Sequence, residues 1–182
     1  MKEKKNLKSK PDVQIPVGYE MKKLITEEKI MKKPIGIACD HAALGLKDEL
    51  MKHFDETGVE YVDYGTYENK SCNYPDYAEK VCTAIREGKH ELGILVCGTG
   101  IGMSMAANKC KGIRAACCSD TFSARFTRMH NDANVLCMGA RVIGAGLACD
   151  IADIFLNTGF EGGRHKTRVD MITALEDKLC EK

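Results

Sequence analysis

The sequence predicts an α/β protein: a Rossmann-like three-layer α/β/α sandwich around a five-stranded parallel sheet. Two observations carry this. Five short apolar or β-branched runs recur without polar alternation, as strands buried on both faces require. Amphipathic stretches of helical length fill the intervals, as right-handed parallel crossovers require.

Residues 1–33 stand apart from this pattern. They hold ten lysines and five acids with little periodicity before 21–31, so they are expected to form a flexible extension. A single domain is expected over 34–182. Within it Ile35–Cys39 reads as the first strand and 43–57 as the first helix. The pairs 59–64 with 77–87, 92–97 with 102–109, 113–118 with 121–130, and 135–138 with 145–156 follow as strand then helix. All five strands are expected to be buried. The last segment, 166–179, places Val169, Ile172, Leu175 and Leu179 on one face and predicts a C-terminal helix packed on the domain.

Composition narrows the function. Lys+Arg 27 against Asp+Glu 26 leaves a net charge of +1, which provides no whole-molecule field for nucleic acid or an anionic membrane. Ten cysteines include no C-x-x-C pair, so neither a structural metal site nor a disulfide framework is expected, and they read as reduced thiols in the cytoplasm. The lysine-rich start has no apolar run of signal-peptide length. The longest uncharged stretch, 92–108, carries Gly93, Gly98, Gly100 and Gly102, which suits a turn and not a membrane span.

Ligands of parallel α/β sheets bind beyond the carboxyl ends of the strands, and the residues there are chemically rich. Asp40 and His41 follow the first strand, Cys97-Gly98-Thr99-Gly100-Ile101-Gly102 the third, Ser119 and Asp120 the fourth, Gly139-Ala140-Arg141 the fifth. The glycine loop can cradle an anion at a helix start, or it can simply make a tight turn. As a dinucleotide fingerprint it fails at Met103, even with Asp120 standing 22 residues after Gly98, and it lacks the G-K-[ST] ending of a P-loop. Cys97 enters that loop where the positive end of a helix favours a thiolate, so it reads as a base or nucleophile, or else as a buried small hydrophobe. Cys39, Cys117, Cys118 and Cys137 take the second reading. His130, beside Asn131 and Asp132 at a helix end, reads by itself as a helix-capping partner. Arg164 and Arg168 share one side of a helix, as a phosphate fork or as a solvated basic face.

Together these segments resemble one family, the type B ribose-5-phosphate isomerases, with the galactose-6-phosphate isomerase subunits as relatives, over about residues 33–178. The resemblance rests on I-G-I-A-C-D-H at the first strand, D-Y-G-T at 63–66, Y-P-D-Y-A at 74–78, C-G-T-G-I-G-M-S-M-A-A-N-K at 97–109, G-I-R-A-A at 112–116, H-N-D-A-N-V-L at 130–136 and E-G-G-R-H-K-T-R-V at 161–169. It implies that Cys97 moves a proton between C1 and C2 of a sugar phosphate, with Thr99 handling the hydroxyl proton. Relatives with a Glu base place it near Ile101, which cannot serve, so the chain matches the cysteine subtype. By the same resemblance the N–H groups of Gly98–Gly102 and Asn131 hold the enediolate oxygens, His130 opens the sugar ring, and Asp40 holds hydroxyls. His41, Arg141, Arg164 and Arg168 take the phosphate, with Tyr74 near the sugar. It also implies a homodimer, or a dimer of dimers, with sites shared between subunits and neither cofactor nor metal. A six-carbon phosphate such as allose or galactose 6-phosphate, or a sugar-phosphate-binding module without catalysis, are the competing expectations.

Overall fold

The computed structural model of the protein describes residues 33–180, so the extension expected over 1–33 lies almost wholly outside the described residues. Strands β1 (Ile35–Cys39), β2 (Tyr61–Asp63), β3 (Gly93–Cys97), β4 (Ala115–Cys117) and β5 (Val135–Gly139) form one parallel sheet ordered β2-β1-β3-β5-β4. Ile37 pairs with Ile94, Leu95 with Cys137 and Ala115 with Val135. The helices are α1 (Leu44–Thr57), α2 (Tyr74–Arg86), α3 (Ile101–Ala107), α4 (Thr121–Asn131), α5 (Ala145–Asn157) and α6 (Arg164–Cys180). The steps β1 to β2 and β4 to β5 run one way along the sheet, β2 to β3 and β3 to β4 the other. Right-handed crossovers therefore put α1 and α4 on one face and α2 and α3 on the opposite face. Two cores follow from this. Ile37, Leu50, Phe54, Ile94, Leu136, Ile151 and Phe155 pack on the first face, while Ala38, Val81, Leu95, Met103 and Cys137 pack on the second. The α/β/α prediction holds.

Three expectations are corrected. The strands β2 and β4 are only three residues each and half-buried, with Val62 and Cys117 exposed, because each lies at a sheet edge with a neighbour on one side only. Cys117 is thus not the buried hydrophobe its strand position suggested. On α6, Val169 is buried, but Ile172 and Leu175 are 48% and 60% exposed and Met171 64%, so most of its apolar face is left open to solvent among the described residues. The side chain of Leu179 lies outside the described ones. The start of α2 also comes earlier than the apolar pattern indicated, at Tyr74, because Pro75 suits a first helical turn. Among the described residues no helix is long and apolar enough to cross a membrane.

Buried charge fastens the loops. Lys47, 1% exposed, donates to Asp63 Oδ2 at 2.7 Å and to the Thr66 carbonyl at 2.9 Å, which ties the loop after β2 to α1. The α4–β5 turn is held around Asp132: Arg128 Nη1 donates to Oδ1 at 3.1 Å and Arg114 Nη2 to Oδ2 at 3.0 Å.

Candidate active site

Cys97 is the last residue of β3 and 5% exposed. The Gly100 N–H donates to its Sγ at 3.1 Å, because the chain reverses over the sulfur before entering α3. That reversal needs glycine: Gly100 has φ 79°, and a Cβ there would lie 2.9 Å from Cys117 Sγ and from the Met138 carbonyl carbon. Thr99 is exposed at the crest, its Oγ1 accepting from the Ile101 N–H at 3.4 Å. The end of β5 is stapled to the same loop, since the Ala140 N–H donates to the Cys97 carbonyl at 2.8 Å and that of Arg141 to the Gly98 carbonyl at 3.0 Å. The Arg141 side chain consequently lies over Gly98, whose added Cβ would meet its Cδ at 3.6 Å.

The end of β1 supplies the other wall. Asp40 is 8% exposed and its Oδ1 accepts from the Ala42 N–H at 2.9 Å. His41 Nδ1 accepts from the Cys72 N–H at 3.4 Å, so the neutral ring carries its proton on Nε2. Across from it the Tyr74 ring rests on Gly102, where a Cβ would fall 2.9 Å from Cζ. Asp40, His41, Tyr74, the 97–102 loop and Arg141 thus converge at the carboxyl end of the sheet. Burial pushes Cys39, Cys82 and Cys118 up to about 12, so they stay protonated and inert.

The remaining predicted residues lie at the other end. Val135 pairs with Gly93 and Gly139 with Cys97, so the amino end of β5 is about 13 Å below the Cys97 level. His130 and Asn131 close α4 just before that amino end, and Arg164 and Arg168 stand on the first turns of α6 beside them. His130 stacks on His165 with ring centroids 4.0 Å apart and planes 4° from parallel, while Phe126 meets its edge at 4.9 Å. Glu161 Oε2 lies 3.6 Å from His130 Nε2 and 3.5 Å from His165 Nε2. Burial, then the neighbouring His130 and Arg164, push the His165 imidazole below its ordinary value. Asn131 is exposed. Asp120 is spent as the N-cap of α4, accepting from the Ser123 N–H at 2.7 Å.

The ligating atoms of His130, Glu161 and His165 fall within 4.8 Å of one another, the spacing of a metal site. Two imidazoles stacked face to face, however, cannot aim their in-plane lone pairs at one ion, and Arg164 and Arg168 add positive charge beside them. The donor set does not fit a metal as it stands.

Residue types and spacing give no role to Glu161, His165 or Cys72. The i, i+4 spacing of Glu161 with His165, interleaved with Arg164 and Arg168, was the available signal.

Residues 35–172 match the family model described as Ribose/Galactose Isomerase. Ribose-5-phosphate isomerase B of Escherichia coli is 49% identical over 146 residues, covering 80% of this chain and 98% of that protein. D-erythrulose-4-phosphate isomerase of Pectobacterium atrosepticum is 46% identical over 76% of this chain and 91% of its own length. Among solved structures, ribose-5-phosphate isomerase B of Clostridium thermocellum superposes with a TM-score of 0.79 at 48% identity, over 80% of this chain and 99% of that one. The enzyme of Mycoplasma genitalium with bound ribulose-5-phosphate gives 0.77 at 40%, over 81% and 98%. The family match over residues 35–172, with these identities and superpositions over nearly the whole length of the relatives, places the chain in the ribose/galactose isomerase family, as a sugar-phosphate aldose–ketose isomerase.

Proposed function

We propose that this chain interconverts ribose 5-phosphate and ribulose 5-phosphate through a cis-enediolate, with Cys97 as the base. The observation that carries the reading is the Gly100 N–H aimed at the buried Cys97 sulfur, with the Arg141 side chain over the adjoining Gly98. A thiolate there takes the proton from C2 of the open-chain aldehyde and returns it to C1. The first N–H groups of α3 have no acceptor inside the helix, and with Asn131 they offer donors to the enediolate oxygens. Thr99 shuttles the hydroxyl proton. His130 opens the furanose ring beforehand.

One chain does not unite these groups, because His130, Asn131, Arg164 and Arg168 stand at the amino end of the sheet. A second copy related by a two-fold axis would bring them over the partner's Cys97. The groove running beside α4 from Cys117 to His130, lined by Phe122 and Phe126, supports this reading, since Phe122 is 69% exposed. The phosphate then lies between His41 and Arg141 of one subunit and Arg164 and Arg168 of the other.

A second reading keeps the chemistry and changes the sugar. The relative named D-erythrulose-4-phosphate isomerase, at 46% identity, supports a four-carbon substrate. Ketose formation measured on four-, five- and six-carbon aldose phosphates decides between them: highest kcat/KM on ribose 5-phosphate is expected, and no turnover of it overturns the proposal.

A further inference from the structure

Resting on the isomerase reading and on His130 as the ring-opening group, we infer that Glu161 is a positioning residue that fixes the tautomer and the aim of the His130 imidazole. Its backbone N–H donates to the Met129 carbonyl at 3.0 Å, which ties it to the last turn of α4 next to His130. Its Oε2 then lies at ion-pair distance from two imidazoles, 3.6 Å from His130 Nε2 and 3.5 Å from His165 Nε2. Arg164 decides which of them it serves. The Arg164 Nε–H, a donor that cannot accept, points at His165 Nε2 at 3.4 Å, so that nitrogen presents a lone pair and no proton to the carboxylate. Of the two rings, only His130 has an Nε2–H to offer Glu161.

The consequences are chemical. A carboxylate facing Nε2 keeps the proton there and leaves Nδ1 of His130 as the working nitrogen. The His165 ring stacked at 4.0 Å and the Phe126 edge at 4.9 Å lock the ring plane, so the three neighbours together determine where Nδ1 points. In ring opening Nδ1 takes the anomeric hydroxyl proton. The bond from C1 to the ring oxygen breaks with its electron pair moving to that oxygen, which receives the proton back from the His130 imidazolium and leaves the imidazole neutral again. An open aldehyde and a free hydroxyl result without net change of charge.

The test isolates this step from isomerisation. In full-length Cys97→Ala protein the C2 proton cannot be moved, yet ring opening still interconverts the α and β anomers of ribose 5-phosphate, which saturation transfer between their C1 protons measures by NMR. Cys97→Ala alone should accelerate anomer exchange over buffer. Adding Glu161→Gln should cut that acceleration at least about tenfold, toward the level set by adding His130→Ala, with the melting temperature unchanged. Glu161→Asp, which keeps the charge, should lose less, and it carries the test if the Gln variant fails to fold. Undiminished exchange in the Glu161 variants overturns the inference, as does an absence of acceleration by Cys97→Ala. Failure of the wild type to form ribulose 5-phosphate is a separate result that removes the isomerase reading itself.

Discussion

Cys97 and Cys118 are both buried thiols near the carboxyl ends of strands, and what separates them is the group facing the sulfur. Apolar burial raises Cys118 to about 12, whereas Cys97 has the Gly100 N–H aimed at it. Position at the start of the glycine loop makes Cys97 a candidate and Cys118 not, but it leaves Cys97 open between base and buried hydrophobe, because the turn over its sulfur is a three-dimensional fact; the family resemblance chooses the base. Replacing Cys97 with Ala should lower turnover by more than about a hundredfold, the scale of losing a general base, while unfolding curves stay close to wild type. Arg164→Ala and Arg168→Ala should each raise KM for ribose 5-phosphate steeply and change activity on free ribose little; equal effects on both sugars would place the arginines away from the phosphate. His165 gives a pH signature. Its folded-state affinity for a proton is depressed below the ordinary 6.5, so the unfolded chain binds the proton more readily and stability is lost as pH falls below that value. Urea midpoints at pH 7.5 and 5.5 should therefore differ less in His165→Asn than in wild type.

At the scale of elements, apolar periodicity located every strand and helix over 35–180, yet it could not say where an apolar face finds its partner. Val169, Ile172 and Leu175 recur as a packed helix should, but of the three only Val169 is buried. Edge position was equally hidden, since it depends on the sheet order and not on the residues of β2 and β4. The His130-Asn131-Asp132 segment read as a helix end, and it is one, although the capping residue is Asp132, in a left-handed conformation with φ 47°. Its carboxylate spans Arg114 and the buried Arg128, which also donate to the Asn131, Asp132 and Ala133 carbonyls, so the turn that carries His130 and Asn131 is held by these three side chains together. Asp132→Ala strips an almost buried guanidinium of its counter-charge and places alanine at positive φ. A loss of about 2–4 kcal/mol is expected in denaturant titration, with Asp132→Asn, which tolerates that backbone, losing less. Equal losses in the two variants would show that neither the backbone preference nor the polar contacts of the Asn amide matter.

At the scale of the molecule, the two halves of the proposed site stand at opposite ends of one sheet, and no side-chain rearrangement spans the roughly 13 Å between their levels. If a two-fold partner completes the site, Cys97 of one subunit works with His130 of the other. Cys97→Ala and His130→Ala proteins, each inactive, can then be unfolded together and refolded as a mixture. About half of the dimers should be mixed. In each of these, one site combines both lesions and the other combines an intact Cys97 with an intact His130, so about a quarter of all sites should regain turnover. Were both residues to serve a site within a single chain, every site would keep one lesion and mixing would restore nothing. Recovery near a quarter of wild-type kcat, with heterodimers confirmed by differential tagging, is the expected result, and an inactive mixture that contains those heterodimers would sink the shared site while leaving the isomerase family membership intact.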